Sequence, residues 1–147
     1  MEATPSKARA RPSWDSYFMA LAKVASTRAT CPRLSVGAVI AKDKTTIVSG
    51  YNGSLPGEAH CDDVGCDIQH GHCVRTVHAE VNAILQAARR GTSVEGATLY
   101  ATAKPCPVCT KLAVGAGIKR LVYLEDYGNA PTEQHVGVSI EKLGEER

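Results

Sequence analysis

Two short segments carry residue types that can hold a metal ion and move a proton: His78-Ala79-Glu80 and Pro105-Cys106-Pro107-Val108-Cys109. An imidazole and two thiolates make three zinc ligands. A catalytic zinc typically takes three protein ligands and keeps a fourth position for water. The two thiolates would offset the charge of Zn²⁺. Glu80 stands beside a ligand without being needed as one, which leaves its carboxylate able to accept and return protons. Alone, His-x-Glu says little. A lone Cys-x-x-Cys equally suits a redox pair or half of a structural zinc site. The two together, in this order and each opening a predicted helix, point to a catalytic zinc.

The elements that must position them can be read from periodicity. Val81, Ile84, Leu85 and Ala88 recur at helical spacing behind His78, so a helix is expected from about His78 to Arg90, closed by Gly91. Val108, Leu112 and Ala116 do the same behind Pro105, predicting a helix from about Cys106 to Val114. A helix N-terminus lowers a thiol pKa and so favours the thiolate. Upstream, Ser13 is a suitable cap for a helix through Trp14, Phe18, Leu21 and Ala25, ending near Thr27. Val36–Ala41 and Thr46–Ser49, with Asp43-Lys44-Thr45 between them, predict a hairpin. Ala97–Thr102 and Arg120–Leu124 predict strands on either side of the Cys106 helix. A strand–helix–strand unit at this spacing implies a right-handed parallel crossover. It would bring His78, Cys106 and Cys109 to one edge of a mixed sheet. Near the C-terminus Val136, Val138 and Ile140 alternate, which favours a strand over a short helix from Glu133 to Leu143. From Gly50 to Thr76 there is no periodicity, but there are five Gly, three Cys and three His. A loop of that length is usually functional or metal-stapled.

Length and charge exclude several classes. The 147 residues suit one domain, residues 13–147, behind a short tail at 1–12 that carries Lys7, Arg9 and Arg11 and is expected to be disordered. The net charge of +2 gives no basic surface for nucleic acid. No apolar run is long enough to span a membrane, and the N-terminus lacks a signal-peptide core, so the cytoplasm is the expected compartment. Six cysteines in such a setting suggest metal rather than disulfides.

The His-x-Glu and Pro-Cys-x-x-Cys pair is the signature of zinc base deaminases. With Val36–Ile40, Gly50-Tyr51-Asn52-Gly53, Cys73–Ile84, Gly96–Tyr100 and Pro105–Lys111, the chain resembles the deoxycytidylate (dCMP) branch of the cytidine and deoxycytidylate deaminase family, from about Trp14 to Tyr127. The resemblance implies a three-layer α/β/α fold with a mixed central sheet of four to five strands. It implies a zinc-dependent hydrolysis of dCMP to dUMP and ammonia that supplies thymidylate synthesis, with His78, Cys106 and Cys109 as ligands and Glu80 as general acid/base. Asn52 resembles a residue that contacts the deoxyribose, although Asn-Gly alone would mark a turn. Tyr123 and Tyr127 would line the base pocket or simply pack at a strand end. A 5′-phosphate needs cationic donors, for which Arg28 and Arg33 are candidates; otherwise they are solvated loop charges. Arg89 matches an effector position between subunits in a homohexamer activated by dCTP and inhibited by dTTP, or is a last-turn cation favoured by the helix dipole. Relatives also hold a second zinc in the long loop. Cys31, Cys61, Cys66 and Cys73 would supply it here, with His60, His70 or His72 as substitutes, unless these are free thiols. Alternatives are another substrate (dCTP, a modified dCMP, a free nucleoside) and a non-catalytic competence-type protein on the same fold. A nucleic-acid editor does not suit the balanced charge.

Overall fold

The computed structural model describes residues 9–126 and 134–144. Residues 9–12 of the expected tail are exposed coil, and the rest of it lies outside the described residues. The first helix, α1 (Trp14–Ser26), begins where the Ser13 hydroxyl accepts from the Ser16 N–H at 3.1 Å. It buries Phe18, Met19 and Ala22. Strands β1 (Gly37–Lys42) and β2 (Thr45–Tyr51) then form an antiparallel hairpin. Both turn residues, Asp43 and Lys44, have positive φ (53° and 62°), the geometry of a tight two-residue hairpin turn.

The segment from Gly50 to Thr76 is more ordered than its sequence suggests. It contains a one-turn helix α2 (Cys61–Val64) and a miniature hairpin of β3 (Ile68–Gln69) and β4 (His72–Cys73). These elements are too short to show a period. The hairpin turns at His70 and Gly71, both at positive φ. Gly53 and Val77 form a bridge that returns the segment to the body of the fold.

Helix α3 (Ala79–Arg90) ends at Gly91, which adopts the left-handed conformation at φ 65°. After it come β5 (Thr98–Ala103), α4 (Pro107–Gly115), β6 (Arg120–Glu125) and β7 (Ser139–Lys142). The sheet runs β2-β1-β5-β6-β7, with β5, β6 and β7 parallel and β1 antiparallel to both neighbours. The expected mixed sheet is present, with five strands. The alternating strand expected around Val136 begins later. Val136 is fully exposed in a turn, and Ile140 is the residue that packs inward from β7.

Alternate residues of each strand serve opposite faces. Ala38, Ile40, Leu99, Ala101 and Leu121 pack with Ala79, Ala83, Ala87 and Ala113 of α3 and α4. Val39, Ala41, Tyr100 and Val122 pack with Phe18, Met19 and Ala22 of α1. That gives three layers. Small residues at the contacts let the helices approach closely. A Cβ on Gly50 would lie 2.5 Å from the Ala79 carbonyl oxygen and 2.6 Å from the Ala83 nitrogen, so β2 and α3 meet backbone to backbone where the α3 N-terminus must be fixed.

The helical stripes picked out by hydropathy overlap the buried faces only in part: Ile84 and Ala116 pack partly buried against the core. Helix α3 buries Ala79, Glu80, Ala83 and Ala87 and leaves Leu85 exposed; α4 buries Cys109, Thr110 and Ala113 and leaves Val108 and Leu112 exposed. Close packing selects alanine for the sheet side, and Leu85, Val108 and Leu112 are left on the outer face.

Candidate metal centre and active site

His78 is the N-cap of α3 and makes no side-chain capping bond, so its ring is directed elsewhere. Its Nδ1 lies 3.2 Å from Cys109 Sγ and 3.6 Å from Cys106 Sγ. Cys106 is the N-cap of α4, with Pro107 in the first turn, and its Sγ accepts from the Cys109 N–H at 3.4 Å. The Thr110 hydroxyl donates to the Cys106 carbonyl at 2.9 Å and fixes that turn. All three donor atoms lie within 4.8 Å of one another. Zinc–sulfur and zinc–nitrogen bonds of about 2.3 and 2.0 Å at a tetrahedral angle separate N and S donors by roughly 3.5 Å. The donor set therefore fits a zinc ion. Of the three donors, Cys106 is the one whose ionised form is favoured. Hydrogen bonding from Cys109, then from His78, holds the Cys106 thiol down at about 3, while the bond to Cys106 and burial push Cys109 up. His78 is raised by its bond to Cys106.

Glu80 is only 4% exposed, and burial raises its carboxyl above the usual range. It faces a cavity of about 220 Å³ together with His78 and Cys106. Asn52 lines the same cavity and is 6% exposed. Its Oδ1 accepts from the Val36 N–H at 2.7 Å and its Nδ2 donates to the Leu34 carbonyl at 2.6 Å, clamping the segment that leads into β1. Asn82 ties α3 to the same region by donating to the Tyr51 carbonyl at 2.8 Å.

A second sulfur cluster borders that cavity. Cys61, Cys66 and Cys73 have their sulfurs within 4.8 Å of one another, and Cys61 and Cys73 are 3.5 Å apart. The Thr76 hydroxyl is 3.2 Å from Cys61 Sγ. Burial opposes ionisation of Cys73, but hydrogen bonds from Thr76 bring it to about 6; burial and Cys61 push Cys66 up to about 12. Cys31 is buried and lines the cavity beside Cys73, outside the three-sulfur set but close enough to raise Cys66. None of His60, His70 and His72 joins that set.

The remaining candidates separate. Arg33 lines the cavity; Arg28 is exposed and does not. Tyr123 is buried beneath the Lys104 ammonium, 6.0 Å from its ring centre, and is not part of the lining. Arg89 is exposed in the last turn of α3. Tyr127 lies outside the described residues. Two lining residues, Thr76 and Lys104, were not singled out by the sequence. Lys104 precedes Pro105 directly, so its nearness to Cys106 was the available signal.

The chain belongs to the cytidine and deoxycytidylate deaminase family: the model of that family's zinc-binding region matches residues 12–125. It is 48% identical over 137 residues to the ComE operon protein 2 of Bacillus subtilis, across 90% of this chain and 72% of that protein. It is 41% identical to the deoxycytidylate deaminase of Mycobacterium phage D29, across 77% of this chain and 95% of the phage protein. The deoxycytidylate deaminase of Saccharomyces cerevisiae is 40% identical, but the chain covers 39% of its length. Among solved structures, the dCMP deaminase of cyanophage S-TIM5 in complex with dCMP and dUMP superposes with a TM-score of 0.75 at 28% identity, covering 92% of this chain and all of that one. Among the described residues, no helix is long and apolar enough to cross a membrane.

Proposed function

We propose that this chain hydrolytically deaminates dCMP to dUMP and ammonia in the cytoplasm. The observation that carries the reading is Glu80, a buried carboxyl beside a three-donor zinc cradle, in a cavity that also holds Asn52 and Arg33. His78, Cys106 and Cys109 hold the metal. A zinc ion there supplies Lewis acidity, lowering the pKa of water from roughly 16 to about 7. Glu80 takes the proton from the attacking water and delivers it to ring N3, which makes C4 electrophilic. It then carries a proton to the departing amine. Burial suits this double task, because raising the carboxyl pKa eases both the uptake and the return of a proton. Asn52 has a second amide N–H beyond the one given to Leu34, suited to a deoxyribose hydroxyl. Arg33 is the better placed of the two arginines to meet the phosphate.

The three clustered sulfurs of Cys61, Cys66 and Cys73 support a second, structural zinc, with Cys31 or Thr76 nearest to completing it. The outward apolar residues Leu85, Val108 and Leu112 support a homo-oligomer, for which a hexamer is our proposal. Arg89 on that outer helix is the candidate contact for dCTP or dTTP.

A non-catalytic reading draws on the ComE operon protein 2 similarity, since that name states no reaction. Glu80 speaks against it, because a purely structural zinc site has no use for a buried carboxyl. Ammonia release from dCMP, compared with deoxycytidine and dCTP, tests the assignment. Glu80→Ala should retain its zinc and lose at least about 10² to 10⁴ in rate. Near-normal turnover by that variant would remove Glu80 from the mechanism, and no turnover by the wild type would remove the deaminase reading.

A further inference from the structure

Helix α3 begins against the end of β2, and two kinds of contact fix it there. One is the close approach of Gly50 to the Ala79 and Ala83 backbones, which sets distance but not direction. The other is directional and comes from a single side chain. The Asn82 amide nitrogen lies 2.8 Å from the Tyr51 carbonyl oxygen, 3.3 Å from that of Val77 and 3.5 Å from that of Gly53. An amide carries two N–H donors, so three acceptors share them, Tyr51 and Val77 most closely. These carbonyls have a common meaning. Tyr51 and Gly53 flank Asn52, which lines the cavity, and Val77 precedes His78. The Val77 and Gly53 backbones also bond each other in both directions, at 2.9 and 3.1 Å. The Asn82 backbone N–H closes the set by donating to the His78 carbonyl at 2.9 Å.

His78 makes no side-chain capping bond, so its own ring does nothing to hold the start of α3. Asn82 is half-buried and does not line the cavity, so its influence runs through the residues it holds. We propose that Asn82 is a positioning residue: its amide keeps the metal ligand His78 and the cavity-lining Asn52 at a fixed spacing. This rests on the deaminase reading for the roles of His78 and Asn52. Glu80 stands between His78 and Asn82 on the chain, so the same hold fixes the proton carrier. The amide is what the place requires. An aspartate of the same shape would turn carboxylate oxygens towards three carbonyls, and an alanine would leave those carbonyls without the donor.

The test compares wild type, Asn82→Ala and Asn82→Asp, each purified with its zinc. Three properties are read: zinc lost to a competing chelator, kcat and KM for dCMP, and the urea unfolding midpoint. Alanine favours a helix, and the Tyr51 carbonyl belongs to a residue 38% exposed and can rehydrate, so Asn82→Ala should stay folded. Losing a group that orients a metal ligand should weaken the binding of one zinc per chain by about 10- to 100-fold. In the folded variant kcat should fall and KM should rise, because His78 and Asn52 lose their spacing together. Asn82→Asp should lose at least as much, since only its donors are missing. Unchanged zinc affinity, wild-type behaviour of Asn82→Asp, an unmoved KM, or zinc loss that comes only with unfolding would overturn the positioning role. Weakened zinc in folded Asn82→Ala, with no ammonia released from dCMP by wild type, would keep the hold on His78 and refute the deaminase reading. Active wild type whose zinc affinity and kinetics survive both substitutions would do the reverse.

Discussion

Asn52→Ala should cost far more stability than a loop-to-alanine change usually does. The side chain is 6% exposed and bonded at both ends to the backbone before β1. Its Oδ1 satisfies the N–H of Val36, a residue 8% exposed, so water cannot easily replace it. Stranding a buried donor costs about 1–3 kcal/mol. The Leu34 carbonyl belongs to a residue 39% exposed and can rehydrate, which limits that loss to about 0.5–1.5 kcal/mol. Together they predict a destabilisation of roughly 2–4 kcal/mol. With a urea slope of about 2 kcal/mol/M, the unfolding midpoint should fall by about 1–2 M. Asn52→Asp keeps an acceptor for Val36 but turns a carboxylate oxygen towards the Leu34 carbonyl, so it should not rescue. Both variants are compared with wild type in zinc-containing buffer, by fluorescence of Trp14 and by circular dichroism. Because the clamped segment carries Arg33, the KM for dCMP should rise in whatever fraction stays folded. A midpoint within a few tenths of a molar of wild type would refute the clamp and leave substrate contact as the reason for an asparagine here.

Metal analysis of freshly purified protein should find two zinc ions per chain. Cys61→Ser should release one of them and lower the unfolding midpoint, since a structural site's binding energy is folding energy; one zinc in fully active wild type would eliminate the second site. Acid stability provides a separate check. Arg120 holds Asp15 through bonds of 2.7 Å, and that hydrogen bonding keeps the Asp15 carboxyl below its usual value, against the opposing effect of burial. A depressed carboxyl contributes stability that is complete above the unfolded pKa of about 3.9 and is lost as pH falls through the folded one. The stability gap between wild type and Arg120→Gln should therefore be widest above about pH 5 and narrow below pH 4, and a gap independent of pH would sever the pair from stability.

The parts of the fold that were legible in the sequence are those governed by local rules. Ser13 and Gly91 marked helix ends, short apolar runs marked β1, β5 and β6, and the metal motifs fell at the starts of α3 and α4. Helix orientation was legible only in part, through Ile84 and Ala116, because hydropathy ranks Leu85, Val108 and Leu112 above Ala83, Ala87 and Ala113. What decides burial here is how near a helix backbone can come to the sheet, as the Gly50 contacts with Ala79 and Ala83 demonstrate. The hairpin at β3 and β4 was hidden by its length of two residues per strand. Lys104 was passed over since a lone lysine carries no pattern; only the pairing of β1 with β5 brings it to the cavity beside Arg33.

The burial of Glu80 links that close packing to chemistry. An alanine-lined helix start brings α3 against β2 and removes the carboxyl from water, which disfavours its charge and works against stability. A glutamine there would fit the same space and avoid the charge. A fold maintained only for a zinc staple, or for contacts made by its outer surface, would gain by that exchange. Retaining a carboxyl at a buried position that faces both the zinc cradle and the cavity makes sense when a proton must be taken up and handed back. Glu80→Gln should accordingly unfold at the same or a higher urea concentration than wild type while releasing no ammonia from dCMP. A clear loss of stability in that variant would mean that the carboxyl is held for structure, and the argument from burial to catalysis would fail.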